Sequence, residues 1–87
     1  MEIVWDPAKS AKNAEERELP FDLTLELDWS AAQIIETGYA AVAPLHGRLH
    51  VVVYTIRDDK RRIISFRKAN EIEEQAYEKA NATRNAP

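Results

Sequence analysis

Residues Arg48–Lys68 read RLHVVVYTIRDDKRRIISFRK, in which two runs rich in β-branched and aromatic residues flank an Asp-Asp pair. Such runs form β-strands, and short polar residues between them are typical of a tight hairpin turn. We therefore predict a strand at Arg48–Ile56, a turn at Asp58-Asp59 and a returning strand at Arg61–Lys68.

The register of this hairpin decides which side chains share a face of the sheet. A regular, even-numbered turn centred on the two aspartates predicts the pairs Tyr54–Ile63, Val52–Ser65, His50–Arg67, Val51–Phe66, Val53–Ile64 and Thr55–Arg62. The first three pairs gather a polar set that can bind phosphate and move a proton, namely His50, Tyr54, Ser65 and Arg67. The other face is the more apolar and is the expected core. A loop with an odd number of residues would break this grouping.

The residues before the hairpin predict a strand and a helix. Glu2–Trp5 is short, β-branched and aromatic, as strands are. Asp6 can cap a helix, Pro7 suits its first position, and the Leu19-Pro20 pair would end it. The segment FDLTLELDWS, residues 21–30, fits a strand, which its alternation favours, or a short acidic helix.

The remaining segments complete an α+β pattern. Ala31–Glu36 predicts a strand, and residues 37–47 predict an irregular connection or a continuation of it. Asn70 can cap a second helix, whose first turns are acidic. We expect one domain over residues 1–80, with a small antiparallel sheet, an N-terminal helix packed on one face and a C-terminal helix. Residues 81–87 would be a flexible tail.

Composition excludes several classes of protein. The chain has no cysteine, which excludes disulfides and cysteine zinc sites, and we expect no metal site and no cofactor. No run of ~18 apolar residues could span a membrane, and the start lacks the pattern of a signal peptide, so we expect a cytoplasmic protein. Residues 57–68 hold six cations and two acids although the net charge is −3. This patch suggests an anionic ligand such as phosphate; the alternative is a solvated hairpin edge.

Three stretches of the chain resemble the BrnT toxins of bacterial type II toxin–antitoxin systems. They are WDPAKSAKN (Trp5–Asn13), GRLHVVVYT (Gly47–Thr55) and RIISFRKANEIEEQAY (Arg62–Tyr77). The family pattern is matched at Trp5, Asp6, Lys9, Asn13, Ser65, Arg67, Ala69, Glu73 and Tyr77. The resemblance implies a RelE-like fold and an RNA-cleaving toxin. It also implies a BrnA-like ribbon-helix-helix antitoxin that covers the toxin in a hetero-oligomer, which would contact operator DNA only through the antitoxin.

The expected reaction is attack of a ribose 2′-hydroxyl on the adjacent phosphorus of RNA. We predict a catalytic set of Arg67 at the phosphorane, His50 as acid–base, Tyr77 as an alternative, and Ser65. We predict RNA-binding roles for Lys9, Tyr54, Arg62 and Lys68, of which Arg62 is the weakest because the predicted register puts it on the other face. The alternatives are a purely structural histidine for His50 and a helix-surface lysine for Lys9. For Arg67 the alternative is a structural ion pair with an acid of the last helix, such as Glu71 or Glu74.

One departure from the family pattern favours a different function. Relatives usually carry a longer polar segment with arginines before the GRLH strand, where this chain has only ETGYAAVAPLH, residues 36–46. The alternative is therefore a catalytically weak or inactive module that binds its antitoxin as a co-repressor, or binds RNA without cutting it.

Overall fold

The computed structural model describes residues 1–35 and 39–84, which form an α+β fold of one sheet and two α-helices. The strands are β1 (Glu2–Val4), β2 (Gln33–Ile35), β3 (Ala40–Leu45), β4 (Arg48–Arg57) and β5 (Lys60–Lys68). The helices are α1 (Pro7–Arg17) and α2 (Glu71–Arg84), and two short 3₁₀ helices cover Phe21–Glu26 and Trp29–Ala31. The Glu36 end of the predicted third strand and residues 85–87 of the predicted tail lie outside the described residues.

The sheet has five strands within the described residues, in the order β1-β5-β4-β3-β2. The strands β2 to β5 are antiparallel, as predicted, but β1 pairs in parallel with β5, from Glu2 beside Lys60 to Val4 beside Arg62. The sheet is therefore mixed, and the prediction of a purely antiparallel sheet is wrong for β1. The pairing joins residues almost sixty positions apart, so no local pattern indicates it.

The helix α1 begins as the sequence predicts and is fastened by polar side chains. The Asp6 carboxylate accepts a hydrogen bond from the Ala8 N–H at 2.9 Å, and Pro7 occupies the first turn. The buried positions of the helix are Ser10 and Asn13. The Ser10 Oγ accepts a hydrogen bond from the Phe21 N–H at 2.7 Å, which holds the segment after the helix against it.

The segment after α1 is a 3₁₀ helix, so the strand that its alternation favoured is wrong and the short acidic helix is the closer prediction. The buried side chains of this helix are Phe21 and Thr24, and Leu27, the residue directly after it, is also buried, so that the three are three residues apart. A 3₁₀ helix has 3.0 residues per turn, so this spacing places the three side chains on one side, toward the sheet. Leu25, which strand alternation would bury with Phe21, is exposed.

Apolar clusters lie on both faces of the sheet. The larger cluster includes Phe21, Val52, Tyr54, Ile63 and Phe66, and we call its side of the sheet the core face. The smaller cluster is Val42, Val51, Ala69 and Tyr77, through which α2 contacts the opposite face. The helix α2 continues to Arg84, so the first four residues of the predicted tail are helical. In the part of the chain that is described, no helix is long and apolar enough to cross a lipid bilayer.

Candidate functional site

A β-bulge changes the predicted pairing of the hairpin. Tyr54 lies opposite Ile63 and Thr55 opposite Arg62, as predicted, but the register shifts between Val53 and Tyr54. The pairs beyond the shift are Val53–Ser65, Val52–Phe66, Val51–Arg67 and His50–Lys68, so the other predicted pairs are wrong. The extra residue on β5 is Ile64, which is exposed, whereas Ile63 is buried.

The bulge determines which side chains of the basic strand β5 lie on each face of the sheet. On β4 the alternate residues from 51 to 57 share the face opposite the core face, and their partners on β5 share it with them. We call this side the cationic face; it consists of Val51, Val53, Thr55, Arg57, Lys60, Arg62, Ser65 and Arg67. Arg62, predicted to lie apart from Arg67, is therefore on the same face as Arg67.

His50 lies on the core face, so its predicted grouping with Arg67 and Ser65 is wrong. Its side chain is buried, its ring centroid lies 5.3 Å from that of Phe66, and its Nδ1 donates to the Arg48 carbonyl at 2.8 Å. Burial lowers the pKa of His50, although the hydrogen bond to the Arg48 carbonyl acts in the opposite direction. The imidazole is therefore a neutral core group without access to a ligand on the cationic face.

Arg67 is held by the second helix. Its Nη1 and Nη2 donate to the two carboxylate oxygens of Glu73 at 2.8 Å each, and Nη1 also donates to the Lys68 carbonyl at 3.3 Å. The hydrogen bond to Glu73 raises the pKa of Arg67, and the hydrogen bond from Arg67 lowers the pKa of Glu73 to about 2. The guanidinium is thus fixed in place and permanently charged.

Glu73 also starts α2, because it forms a capping box with Asn70. The Glu73 N–H donates to the Asn70 side-chain oxygen at 2.8 Å, and the Asn70 N–H donates to the Glu73 carboxylate at 2.9 Å. This reciprocal pattern satisfies two N–H groups at the helix start. One carboxylate therefore both begins the helix and positions Arg67.

The ion pair between Arg67 and Glu73 predicts a pH dependence of stability. A carboxyl group whose pKa is lower in the folded state stabilises the fold above its unfolded pKa, near 4.5, and loses this effect as the pH falls toward 2. After allowance for the partial exposure of Arg67, we expect Glu73→Gln to lower the free energy of unfolding by about 1–2 kcal/mol at pH 7. The difference from the unsubstituted chain, measured by urea unfolding, should shrink between pH 5 and pH 2. A difference that stays constant over that range would contradict the assignment.

The two tyrosines predicted in the site serve the fold. Tyr54 is buried on the core face, where its ring meets Trp29 edge-on at 6.2 Å. The Tyr77 hydroxyl donates to the Ala31 carbonyl at 2.7 Å, and its buried ring packs against Val42 and Val51. Tyr54 is therefore not placed to stack on RNA, and the Tyr77 hydroxyl has a structural partner.

Arg61, another cation of strand β5, also has a structural role. Its guanidinium lies 4.0 Å from the Trp29 ring centroid and 4.8 Å from that of Tyr54. The Arg61 Nε is buried without a hydrogen-bond partner among the described residues, so the aromatic rings are its main contacts. Arg61, one of the six cations of residues 57–68, therefore covers aromatic side chains of the core.

The cations near Arg67 line a cavity of about 280 Å³ at the end of β5. Its lining residues are Arg17, Leu19, Arg67 and Lys68. Lys68 points from the other side of β5 yet reaches the same cavity as Arg67. Arg67 was predicted to be catalytic and Lys68 to bind RNA. Arg17, in the last turn of α1, was missed because nothing in the sequence relates it to β5. Lys9 is exposed on α1 and does not line this cavity.

The remaining predicted residues lie farther along the cationic face. Ser65 is half-buried and Arg62 is exposed. Arg57 and Lys60, which the sequence reasoning did not select, extend the same face to the hairpin turn. The bulge lies at the consecutive apolar residues Ile63 and Ile64, of which only Ile63 is buried. Among residues 1–35 and 39–84, no three His, Asp or Glu side chains are grouped to hold a metal ion.

Comparison with known proteins agrees with the resemblance in the sequence. No curated protein matches the chain. The family model of the ribonuclease toxin BrnT, of type II toxin–antitoxin systems, matches residues 5–73, a region that includes α1, every strand except β1, and Arg67 with its partner Glu73. The match covers well over half of the chain, which therefore belongs to the BrnT family of type II ribonuclease toxins.

Proposed function

We propose that this toxin cleaves RNA without a metal ion and that Arg67 stabilises the transition state. The observation that carries the proposal is the cavity lined by three cations, Arg17, Arg67 and Lys68, in a chain of a ribonuclease toxin family. Of these, Arg17 and Lys68 form no ion pair among the described residues. Their charge is therefore available to a phosphodiester.

The proposed reaction needs charge stabilisation more than any other contribution. The 2′-oxygen forms a bond to phosphorus and gives up its proton, while the bond from phosphorus to the 5′-oxygen breaks and that oxygen takes a proton. The products are a 2′,3′-cyclic phosphate and a 5′-hydroxyl. Negative charge builds up on the phosphorane oxygens, and a fixed donor at such a position contributes about 10²–10³ to the rate.

Arg67 keeps donors for this task although it is paired with Glu73. A guanidinium has five N–H donors, and the three hydrogen bonds to Glu73 and Lys68 leave 5 − 3 = 2. The Arg67 side chain is 36% exposed, so a phosphate can approach it. Ser65, on the same face, can donate a further hydrogen bond to a phosphate oxygen. Glu73 then acts as a positioning residue that fixes the guanidinium before RNA binds.

A specific observation also favours a second function, RNA or antitoxin binding without cleavage. His50 is buried on the core face, and no histidine of the described residues lies on the cationic face. General acid–base catalysis contributes about 10²–10⁴ to such reactions, so a site without it would be slow. A co-repressor that binds its antitoxin and does not cut RNA would need only the surface.

The same proposal extends to fold family, partner and location. We assign a RelE-like fold, a BrnA-like ribbon-helix-helix antitoxin in a hetero-oligomer, inhibition of translation and action in the cytoplasm. An apolar cavity of about 260 Å³ between β2 and α2 supports a protein partner, since Ile34 and Ile72 beside it are 54% and 78% exposed. Such exposed apolar groups are typical of surfaces that a partner covers.

The test adds the purified chain to two preparations and measures whether the RNA in each is cleaved. One contains a labelled single-stranded RNA and EDTA, and the other a translation extract with ribosomes and messenger RNA. We expect cleavage in at least one, with 2′,3′-cyclic phosphate ends. Cleavage only after addition of a divalent ion would refute the metal-free mechanism. Intact RNA in both preparations, with the antitoxin still bound in a pull-down, would establish the binding module instead.

A further inference from the structure

The tip of the β4–β5 hairpin carries a second group of cations, separate from the Arg67 cavity. Arg57 and Lys60 are directly opposite each other on the cationic face, and Arg62 follows two residues along β5. The three line a cavity of about 170 Å³ with Val4 and Asp58. Three cations and one carboxylate thus share a small open cavity, which has a net charge of +2.

The backbone of the turn fixes two of these cations beside each other. Asp58 and Asp59 both have positive φ, 53° and 60°, as in a two-residue type I′ turn that joins strands tightly. Like charges directly opposite on one face of an antiparallel pair destabilise it. An anion bound between Arg57 and Lys60 would relieve this repulsion.

The protein itself does not supply that anion. Within the described residues, Arg57, Lys60 and Arg62 form no ion pair, even though Asp58 lines the cavity and Glu2 lies next to Lys60 in the register of β1. In contrast, the Arg67 guanidinium has its carboxylate partner in Glu73. The charge at the tip is available to a ligand from outside.

The surface between the tip and Arg67 suits a nucleic-acid strand. Arg62 and Arg67 are five residues apart on β5, which corresponds to about 15 Å of strand. The polar side chains between them on this face are Thr55 and Ser65, whose hydroxyls can donate to phosphates. Both are at least partly exposed, so one RNA strand can lie along this face.

We infer that Arg57, Lys60 and Arg62 form a second phosphate-binding subsite for the backbone of single-stranded RNA. The inference rests on the proposed function, because it assumes that RNA is the ligand of the cationic face. The subsite holds a phosphate several nucleotides away from the one at Arg67. It contributes to affinity and to the placement of the strand, and takes no part in the chemical step.

The test measures binding of a single-stranded RNA with 2′-O-methyl groups, which cannot be cleaved by 2′-hydroxyl attack. We expect Arg57→Ala and Lys60→Ala each to weaken binding by about 3–10-fold and to reduce the slope of log affinity against log salt by about 0.7. Lys12→Ala is the control; it removes one positive charge from the exposed side of α1, where Lys12 pairs with Glu16. It should change affinity by less than twofold.

The outcomes separate this inference from the proposed function. If Arg67→Ala weakens binding while the tip variants match Lys12→Ala, the subsite is refuted and the Arg67 site stands. If the unsubstituted chain does not bind the RNA at all, the subsite is refuted, and the cleavage test in the two preparations decides the proposed function by itself. If the tip variants leave RNA binding unchanged and weaken binding of the antitoxin, the tip is a protein contact and the inference is wrong. Loss of affinity in the tip variants without loss of cleavage of a dinucleotide supports the subsite.

Discussion

Replacing Arg67 by alanine should lower the rate of RNA cleavage by about 10²–10³, because the phosphorane would lose its fixed cationic donor. Expression of the unsubstituted chain should inhibit growth, and expression of Arg67→Ala should not. The measurement compares single-turnover cleavage by the purified variant with that by the unsubstituted chain, in the preparation that supports cleavage. Lys12→Ala removes a positive charge on α1 and should cleave at the normal rate.

The difficulty with this variant is that Arg67 also anchors α2 through Glu73. Glu73→Gln separates the two roles, since it weakens the same ion pair but keeps the arginine and its positive charge. We expect Glu73→Gln to retain cleavage within about tenfold, at a stability similar to that of Arg67→Ala. Equal losses in both variants would mean that Arg67 only holds the helix, and the catalytic assignment would then fail.

Local signals were sufficient to predict the elements on which this site is built. The Asp6-Pro7 start of α1, the Asp58-Asp59 turn and the Asn70 cap of α2 each depend on residues close in sequence. Capping and turn chemistry act over three or four residues, so the sequence contains the whole signal. The position of the hairpin turn and the starts of both helices were therefore predicted correctly, whereas the pairing along the hairpin was predicted only near the turn.

The set of residues that share the cationic face depends on the bulge residue Ile64, which the sequence-based prediction did not include. The bulge at Ile64 moves every pair beyond it by one position, which places His50 opposite Lys68 instead of Arg67. A shift of one residue exchanges the faces of a strand. For this reason the predicted pairing of His50 with Arg67 is wrong, and Arg62 lies on the same face as Arg67.

Other contacts could not be predicted because they join distant segments. The parallel pairing of β1 with β5 and the presence of Arg17 and Lys68 in one cavity both bring together residues that are far apart in the sequence. Asn13 was recognised only as a member of the family pattern. In the structure, Asn13 lies between the residues that follow α1 and strand β5, and it donates hydrogen bonds to carbonyl groups of both.

Replacing Asn13 by alanine should produce a larger loss of stability than Glu73→Gln does. The Asn13 Nδ2 donates to the Leu19 carbonyl at 2.6 Å and to the Phe66 carbonyl at 2.9 Å, and the side chain is only 8% exposed. Alanine leaves both carbonyls without this donor in a buried environment. Each unsatisfied group costs about 1–3 kcal/mol, so we expect a loss of about 2–4 kcal/mol in the free energy of unfolding.

Urea and thermal unfolding followed by circular dichroism would measure this loss, and the Tm should fall by roughly 10–30 °C for a domain of this size. Alanine favours a helix more than asparagine does, so helix propensity acts against the expected change. Asn13→Asp keeps the shape of the side chain but replaces the donor by an acceptor facing two carbonyls, and it should be at least as destabilising. Lys12→Ala, one residue earlier on the exposed side of α1, should stay within about 0.5 kcal/mol of the unsubstituted chain. If Asn13→Ala is no less stable than Lys12→Ala, then the asparagine does not hold α1 to β5, and the position of Arg17 beside Arg67 must have another cause.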